Sequence, residues 1–157
     1  MKSIANFFFE AGMLAKTPRS GFYFLGSGDQ SVAEHINRVC YIAYALAKLD
    51  GDVDLGTVLE MALFHDFAET RVSDLNYVHQ KYIQKNEAEA LQDLADTLSF
   101  GTYILESIDT YEVRKDREAI LVKDADILEL LVSLKEQFDT GNTRAEKWIK
   151  KVVDRVQ

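Results

Sequence analysis

The stretch Met61-Ala62-Leu63-Phe64-His65-Asp66-Phe67-Ala68-Glu69-Thr70 decides how the rest of the chain is read. It sets a histidine beside a carboxylate inside an apolar run, with a second carboxylate one helical turn further on. Residues three and four apart share a helix face, so a continuous helix stands Glu69 over His65 and Asp66. Neighbouring residues diverge by about 100° around the axis, which suits ligands that grip a cation from two sides. Burying three ionisable groups among Ala, Leu and Phe costs free energy unless something compensates. A divalent ion compensates, and so do partner side chains. The plainer alternative is a helix end where His65 and Asp66 cap or pair locally.

Outward from that stretch, the composition favours helices. A chain of 157 residues that is 47% hydrophobic is long enough for one domain, residues 1–157, with a core of its own. Glycine is sparse and Pro18 is the single proline, so long stretches run without a breaker and an all-α domain is expected. A net charge of −8 argues against a nucleic acid polymer or an anionic membrane as partner. It leaves room for a small anionic substrate, because one arginine or a bound ion reverses the local field. Cys40 is the only cysteine, so no disulfide framework exists and a reducing compartment fits. Glu10 interrupts Phe7-Phe8-Phe9 too early for a signal peptide. No stretch approaches the ~20 apolar residues of a membrane span, and a cytoplasmic location is expected.

In chain order, residues 3–16 read as a helix with Ile4, Phe7, Phe8, Ala11 and Leu14 on one face. The loop Thr17-Pro18-Arg19-Ser20-Gly21-Phe22 follows, and Arg19 is its strong anion binder; an exposed arginine that serves only solubility is the alternative. Ser31 and Glu34 form a capping box that opens the next helix, with His35 at the inner edge of its apolar stripe. A turn at Leu49-Asp50-Gly51-Asp52 precedes a helix from about Leu55 to Thr70, ended by Ser73-Asp74-Leu75. Helical patterns then cover about 77–98 and, after Ser99-Phe100-Gly101, a short segment to about Glu112.

Residues 116–138 make the longest helix. Ile120, Leu121, Ile127, Leu128, Leu131, Leu134 and Phe138 form its main stripe, and periodicity centres Asp124 on it. Asp126 falls on a narrower second face with Val122, Leu130 and Ser133. A last helix carries Trp148. The expected architecture is a bundle of six or seven helices.

Three separated segments thus offer matching chemistry: His35, then His65 with Asp66, then an aspartate of the long helix. Imidazole and carboxylate together suit Zn, Mn, Fe or Co. The order H…HD…D resembles the HD-domain superfamily of metal-dependent phosphohydrolases. The blocks Ser31-Val32-Ala33-Glu34-His35, Ala62 to Glu69, Ser73-Asp74-Leu75 and Leu121 to Leu128 are similar to its 5′-deoxynucleotidase branch. So is Pro18-Arg19-Ser20-Gly21-Phe22, the arginine-and-aromatic segment before the first histidine.

The resemblance implies metal ligands at His35, His65, Asp66 and Asp126, and so overrides the periodicity that favours Asp124. It implies catalytic roles for Glu69 and Asp66, a sugar-side role for Asp74, a phosphate-binding role for Arg19 and a substrate contact at Phe22. Ser73 stands where glycine is common in that branch, and Phe22 where tryptophan is common. The implied reaction removes the 5′-phosphate from a (deoxy)nucleoside monophosphate, with one divalent ion (Mn, Co, Zn, Fe, Ni or Mg) to polarise phosphate and acidify water. Alternatives are hydrolysis of another small phosphoester or of a nucleoside triphosphate, or a non-catalytic ligand-binding module. The partner expected is a small nucleotide, and the aromatic N-terminal helix suggests a homodimer. Of the three histidines only His79 is spare, so a two-metal, histidine-rich site is not expected. Lys81 reads as a solvated surface lysine, with phosphate neutralisation the lesser alternative.

Overall fold

The computed structural model describes residues 2–155, and among them it is all helical. The α-helical segments are α1 (Lys2–Ala11), α2 (Phe22–Leu25), α3 (Val32–Asp50), α4 (Leu55–Phe64), α5 (Glu69–Val72), α6 (Glu87–Ala95), α7 (Gly101–Val113), α8 (Arg117–Asp139) and α9 (Arg144–Val153). Two of these, α2 and α5, are single turns; the seven longer ones match the number read from sequence. None of the described helices is long and apolar enough to cross a membrane.

The long helix α8 is the axis of the bundle, with α3, α4, α7 and α9 packed round it. Where α3, α4 and α8 meet, the wholly buried residues are small: Ala43, Ala62, Ala119 and Ala125, with Val39, Val58 and Val122 between them. Small side chains let helix backbones approach closely, and here that approach draws the polar faces of three helices to one point. Two further apolar clusters flank this junction. Leu14, Val32, Ile36, Phe67, Leu94 and Ile104 seat α1 and α6, while Leu25, Ile127, Leu134, Ala145 and Val152 seat α2 and α9.

Local chemistry sets the boundaries. The capping box at α3 is complete: Ser31 Oγ accepts from the Glu34 amide at 3.2 Å, and Glu34 Oε2 accepts from the Ser31 amide at 2.7 Å. The helix expected over 55–70 is instead broken after Phe64. His65 Nδ1 bonds the Ala62 carbonyl at 2.9 Å, the acceptor that a regular helix offers to the Asp66 amide. The chain then tightens into three-residue turns, Phe67 N–H to Phe64 O at 2.9 Å and Glu69 N–H to Asp66 O at 3.0 Å, before α5 resumes.

The segment 77–98 is likewise not one helix. Asn76 Oδ1 accepts from the amides of Val78 and His79, each at 3.1 Å, and a short 3₁₀ turn follows at His79–Lys81. Asn86 then caps the start of α6 through the Glu89 amide. Side-chain amides that bond neighbouring backbone compete with helix, and two of them suffice to interrupt this one.

Along α8 the burial differs from the stripe read by periodicity. Val122, Ala125, Glu129 and Ser133 are buried on the face turned to α3, whereas Leu128 and Leu131 are only half-buried and Phe138 is exposed. Asp126 belongs to that inner face, and Asp124 is half-buried outside it.

Candidate metal centre and adjoining cleft

His35 sits one turn into α3, wholly buried, and His65 closes α4. Their Nε2 atoms lie 3.3 Å apart. Asp126 Oδ1, from α8, is 3.3 Å from His35 Nε2, and Asp66 Oδ2 lies 3.5 Å from His35 Nε2 and 3.3 Å from His65 Nε2. One donor atom from each of His35, His65 and Asp126 falls within 4.8 Å of the other two.

The tautomers follow from the partners. His35 Nδ1 faces Glu129 Oε2 at 2.7 Å and His65 Nδ1 faces the Ala62 carbonyl at 2.9 Å. Both partners only accept, so both Nδ1 atoms carry a proton; a cation among these residues would meet both Nε2 atoms as donors, and without one a proton on Nε2 bridges to the carboxylates. Four acceptors converging in a buried place demand a positive charge. A divalent ion with nitrogen and oxygen donors fits that set.

The electrostatics express the same demand. Burial opposes a charged His65, but the charge and hydrogen bond of Asp66, with Asp126 behind them, push its pKa up to about 9. Asp66 is held far below the usual carboxylate range: burial works against this, and His65, Arg19 and His35 outweigh it. Asp126 is also held well down, against its burial, by His35, His65 and Lys123.

Arg19 is brought in by its loop. An isolated bridge pairs Pro18 with Ser31, and the Arg19 amide donates to the Gln30 carbonyl at 2.8 Å. Its guanidinium then meets Asp66 Oδ2 at 3.2 Å. Arg19 also borders a cleft of about 380 Å³, walled by Phe22, Leu25, Leu134 and Trp148 and edged by Asp74, Asn76 and Gln80. Asp74 does structural work at that edge: its Oδ2 accepts from the Ser20 amide at 2.6 Å and its carbonyl from Ser20 Oγ at 2.8 Å.

Glu69 does not stand over His65 on one helix face, because the helix is broken between them; it is the first residue of α5. Its Oε2 is buried with no hydrogen-bond partner among the described residues, and Lys85 Nζ lies 3.5 Å from Oε1. Burial, then the charges of Asp66 and Asp74, push its pKa up to about 8 against the pull of Lys85 and Arg19.

Residues that the sequence reading passed over complete the surroundings. Glu129 backs His35, Lys123 Nζ lies 2.7 Å from Asp126 Oδ2, and the Tyr111 hydroxyl is 3.5 Å from the same oxygen. Glu129 and Lys123 both stand three residues from Asp126 on α8, a spacing legible in the sequence. The lysines beside the site are Lys123 and Lys85; Lys81 is exposed, as expected of a surface lysine. His79 takes part elsewhere, in a 3.1 Å contact with Asn76.

A helical frame that gathers two imidazoles and two carboxylates from separate segments defines a class: an all-α protein built round a His/Asp cation site, with an arginine at the rim. Comparison with known proteins narrows it. A model of the HD domain family matches residues 11–157. The chain is 31% identical over 149 residues to a 5′-deoxynucleotidase of Dictyostelium discoideum, covering 87% of this chain and 78% of that protein. A conserved hypothetical protein from Pyrococcus furiosus superposes with a TM-score of 0.82 at 29% identity, over 96% of this chain and 88% of that one. A predicted metal-dependent phosphohydrolase from Magnetospirillum magnetotacticum superposes with a TM-score of 0.71 at 25% identity, over 99% and 82%. The chain belongs to the HD domain family.

Proposed function

We propose that this protein is a metal-dependent phosphohydrolase that releases the 5′-phosphate of (deoxy)nucleoside monophosphates. The observation that carries the reading is the convergence of two imidazole Nε2 atoms and two carboxylates on one point. Similarity to the Dictyostelium 5′-deoxynucleotidase supports the substrate class.

His35, His65, Asp66 and Asp126 would hold the ion, one of Mn, Co, Zn, Fe, Ni or Mg. When bound it supplies Lewis-acid charge to a phosphoryl oxygen and acidifies a water for attack on phosphorus. Arg19 steadies the charge that grows on the phosphoryl oxygens. Glu69, buried beside the cation site with no hydrogen-bond partner for its Oε2 among the described residues, is placed to pass a proton to the departing 5′ oxygen. Phe22 and Asp74 place the nucleoside in the adjoining cleft, whose apolar walls accept a base and whose carboxylate accepts from a sugar hydroxyl. The products are nucleoside and inorganic phosphate.

In this reading residues 1–157 act as one domain, in the cytoplasm, where a lone half-buried Cys40 stays reduced. The chain pairs as a homodimer over the aromatic surface of α1, where Phe8 and Phe9 are 65% and 79% exposed.

The test is a metal-by-substrate screen on stripped protein, following phosphate release from dAMP, AMP, dATP and a cyclic dinucleotide. Release from the monophosphates, restored by a divalent ion, supports the reading. Turnover confined to dATP or to the cyclic dinucleotide overturns it. Metal content should fall with His65→Ala and with Asp126→Asn but not with Asp124→Asn; the reverse order for the aspartates would mean the wrong carboxylate has been chosen. Glu69→Ala should cut turnover by at least ~10² with metal retained.

A further inference from the structure

Behind His35 lies a further carboxylate, that of Glu129, which meets the ring on its Nδ1 side. Glu129 is completely buried, and hydrogen-bond partners meet both of its oxygens. Its Oε2 accepts from His35 Nδ1 at 2.7 Å, and its Oε1 accepts from Gln30 Nε2 at 2.7 Å and Ser133 Oγ at 2.9 Å. Arg38 Nε stands 3.8 Å from Oε1, and its Nη1 continues to Glu136 at 3.0 Å. A buried carboxylate left without such partners would be prohibitively costly, so four residues from three segments are organised to keep one negative charge behind one imidazole.

His65 is treated differently. Its Nδ1 donates to a neutral backbone carbonyl, that of Ala62. The two histidines of the site are therefore unequal electron donors. An anion on Nδ1–H drives the ring toward imidazolate character and strengthens Nε2 as a donor, whereas an amide carbonyl does so weakly.

We propose that Glu129 is a positioning residue for the metal centre: it fixes His35 in the Nδ1–H tautomer, aims its Nε2 lone pair at the ion, and makes His35 the stronger of the two histidine ligands. Gln30 and Ser133 hold Glu129 in the one rotamer that does this. The proposal rests on the metal-dependent reading above and adds to it a residue that touches neither ion nor substrate.

Glu129→Gln tests it, since it keeps the side chain's shape while removing the charge and turning one of the two accepting oxygens into an N–H donor. Two readouts are needed. Chelator competition with Mn or Zn measures the dissociation constant of the ion, expected to weaken 10–100-fold, the usual cost of losing such a carboxylate. Nitrogen NMR of metal-free protein at alkaline pH reads the His35 tautomer, expected as Nδ1–H in the wild type and shifted toward Nε2–H in the variant. Ser133→Ala is the milder companion and removes one bond to Oε1. It is expected to weaken metal binding several-fold in the same direction while the fold persists, and so decides the matter if Glu129→Gln fails to fold.

A lower melting temperature with unchanged ion affinity and unchanged tautomer would reduce Glu129 to a packing group and overturn the proposal. An affinity unchanged in Ser133→Ala, where Glu129→Gln does not fold, would overturn it equally. Failure of the wild type to bind any ion is a separate outcome: it overturns the metal reading and, with it, this one.

Discussion

Ser73 is the residue at which the backbone gives the clearest quantitative forecast. It ends α5 with φ 64° and ψ 160°, a combination that glycine adopts freely and other residues adopt at a cost. The strain is held because the next residue must turn sharply back: Asp74 clamps Ser20 through two hydrogen bonds of 2.6 and 2.8 Å, and so fixes the loop that carries Arg19. A non-glycine residue in that region costs about 1–3 kcal/mol. Glycine forfeits about 0.5–1 kcal/mol of that gain through the greater freedom of the unfolded chain. Ser73 is exposed, so its hydroxymethyl contributes little packing. Ser73→Gly is therefore expected to stabilise by roughly 1 kcal/mol, or about 2–4 °C in Tm for a chain of this size. Urea titration of the wild type, Ser73→Gly and Ser73→Ala makes the test specific. Alanine keeps the Cβ that causes the strain, so it should gain nothing. An equal gain from alanine, or a loss from glycine, would refute the strain argument and with it the view that this turn is forced by the Asp74 clamp.

Two further expectations concern the frame round the site. Gly101 opens α7 against the end of α6, and a Cβ there would fall 2.1 Å from the Ala95 carbonyl oxygen and 2.4 Å from its Cα. Both are backbone atoms, so Gly101→Ala should cost about 2 kcal/mol or more, read as a lowered midpoint in chemical denaturation; a neutral substitution would mean that the α6–α7 junction yields. Glu10 on α1 takes a forked contact from Arg71 of α5 and a 3.2 Å bond from Thr70, which hold its carboxyl below its ordinary value of 4.5 despite partial burial. A depressed carboxylate stabilises above its unfolded pKa and loses that stabilisation as pH falls through the folded one. Glu10→Gln should therefore destabilise at neutral pH by no more than about 1 kcal/mol, given the pair's partial exposure, and the difference should shrink as pH falls below the ordinary value of 4.5 and vanish once it has passed the lowered folded pKa. A constant gap across that range would show that the pair's charge is not responsible.

What the amino-acid sequence discloses and what it hides divide along a physical line. Signals that act within one turn were legible: the Ser31–Glu34 box starts α3 where it should, and the breaker-poor composition foretells helices throughout. That His35, His65, Asp66 and Asp126 come together was legible too, but only by resemblance. Periodicity alone centres Asp124 on the dry stripe of α8, because a hydrophobic stripe identifies the face that packs against apolar neighbours. In α8 that inference misleads. The helix is buried on two sides, and the side turned to α3 is a polar core lined by Asp126, Glu129 and Ser133. Such a face looks like a solvated one in a linear sequence, since what makes its charges tolerable lies 94 residues away in the His35–Glu129 contact. The same reasoning explains the broken helix at His65. Helix propensity runs on through Phe67, but His65 Nδ1 takes its acceptor from the nearest turn, Ala62, and the regular hydrogen-bond ladder gives way there. The irregularity thus follows from the chemistry of the site: aiming His65 Nε2 inward and keeping the helix regular compete for one carbonyl, and the site wins.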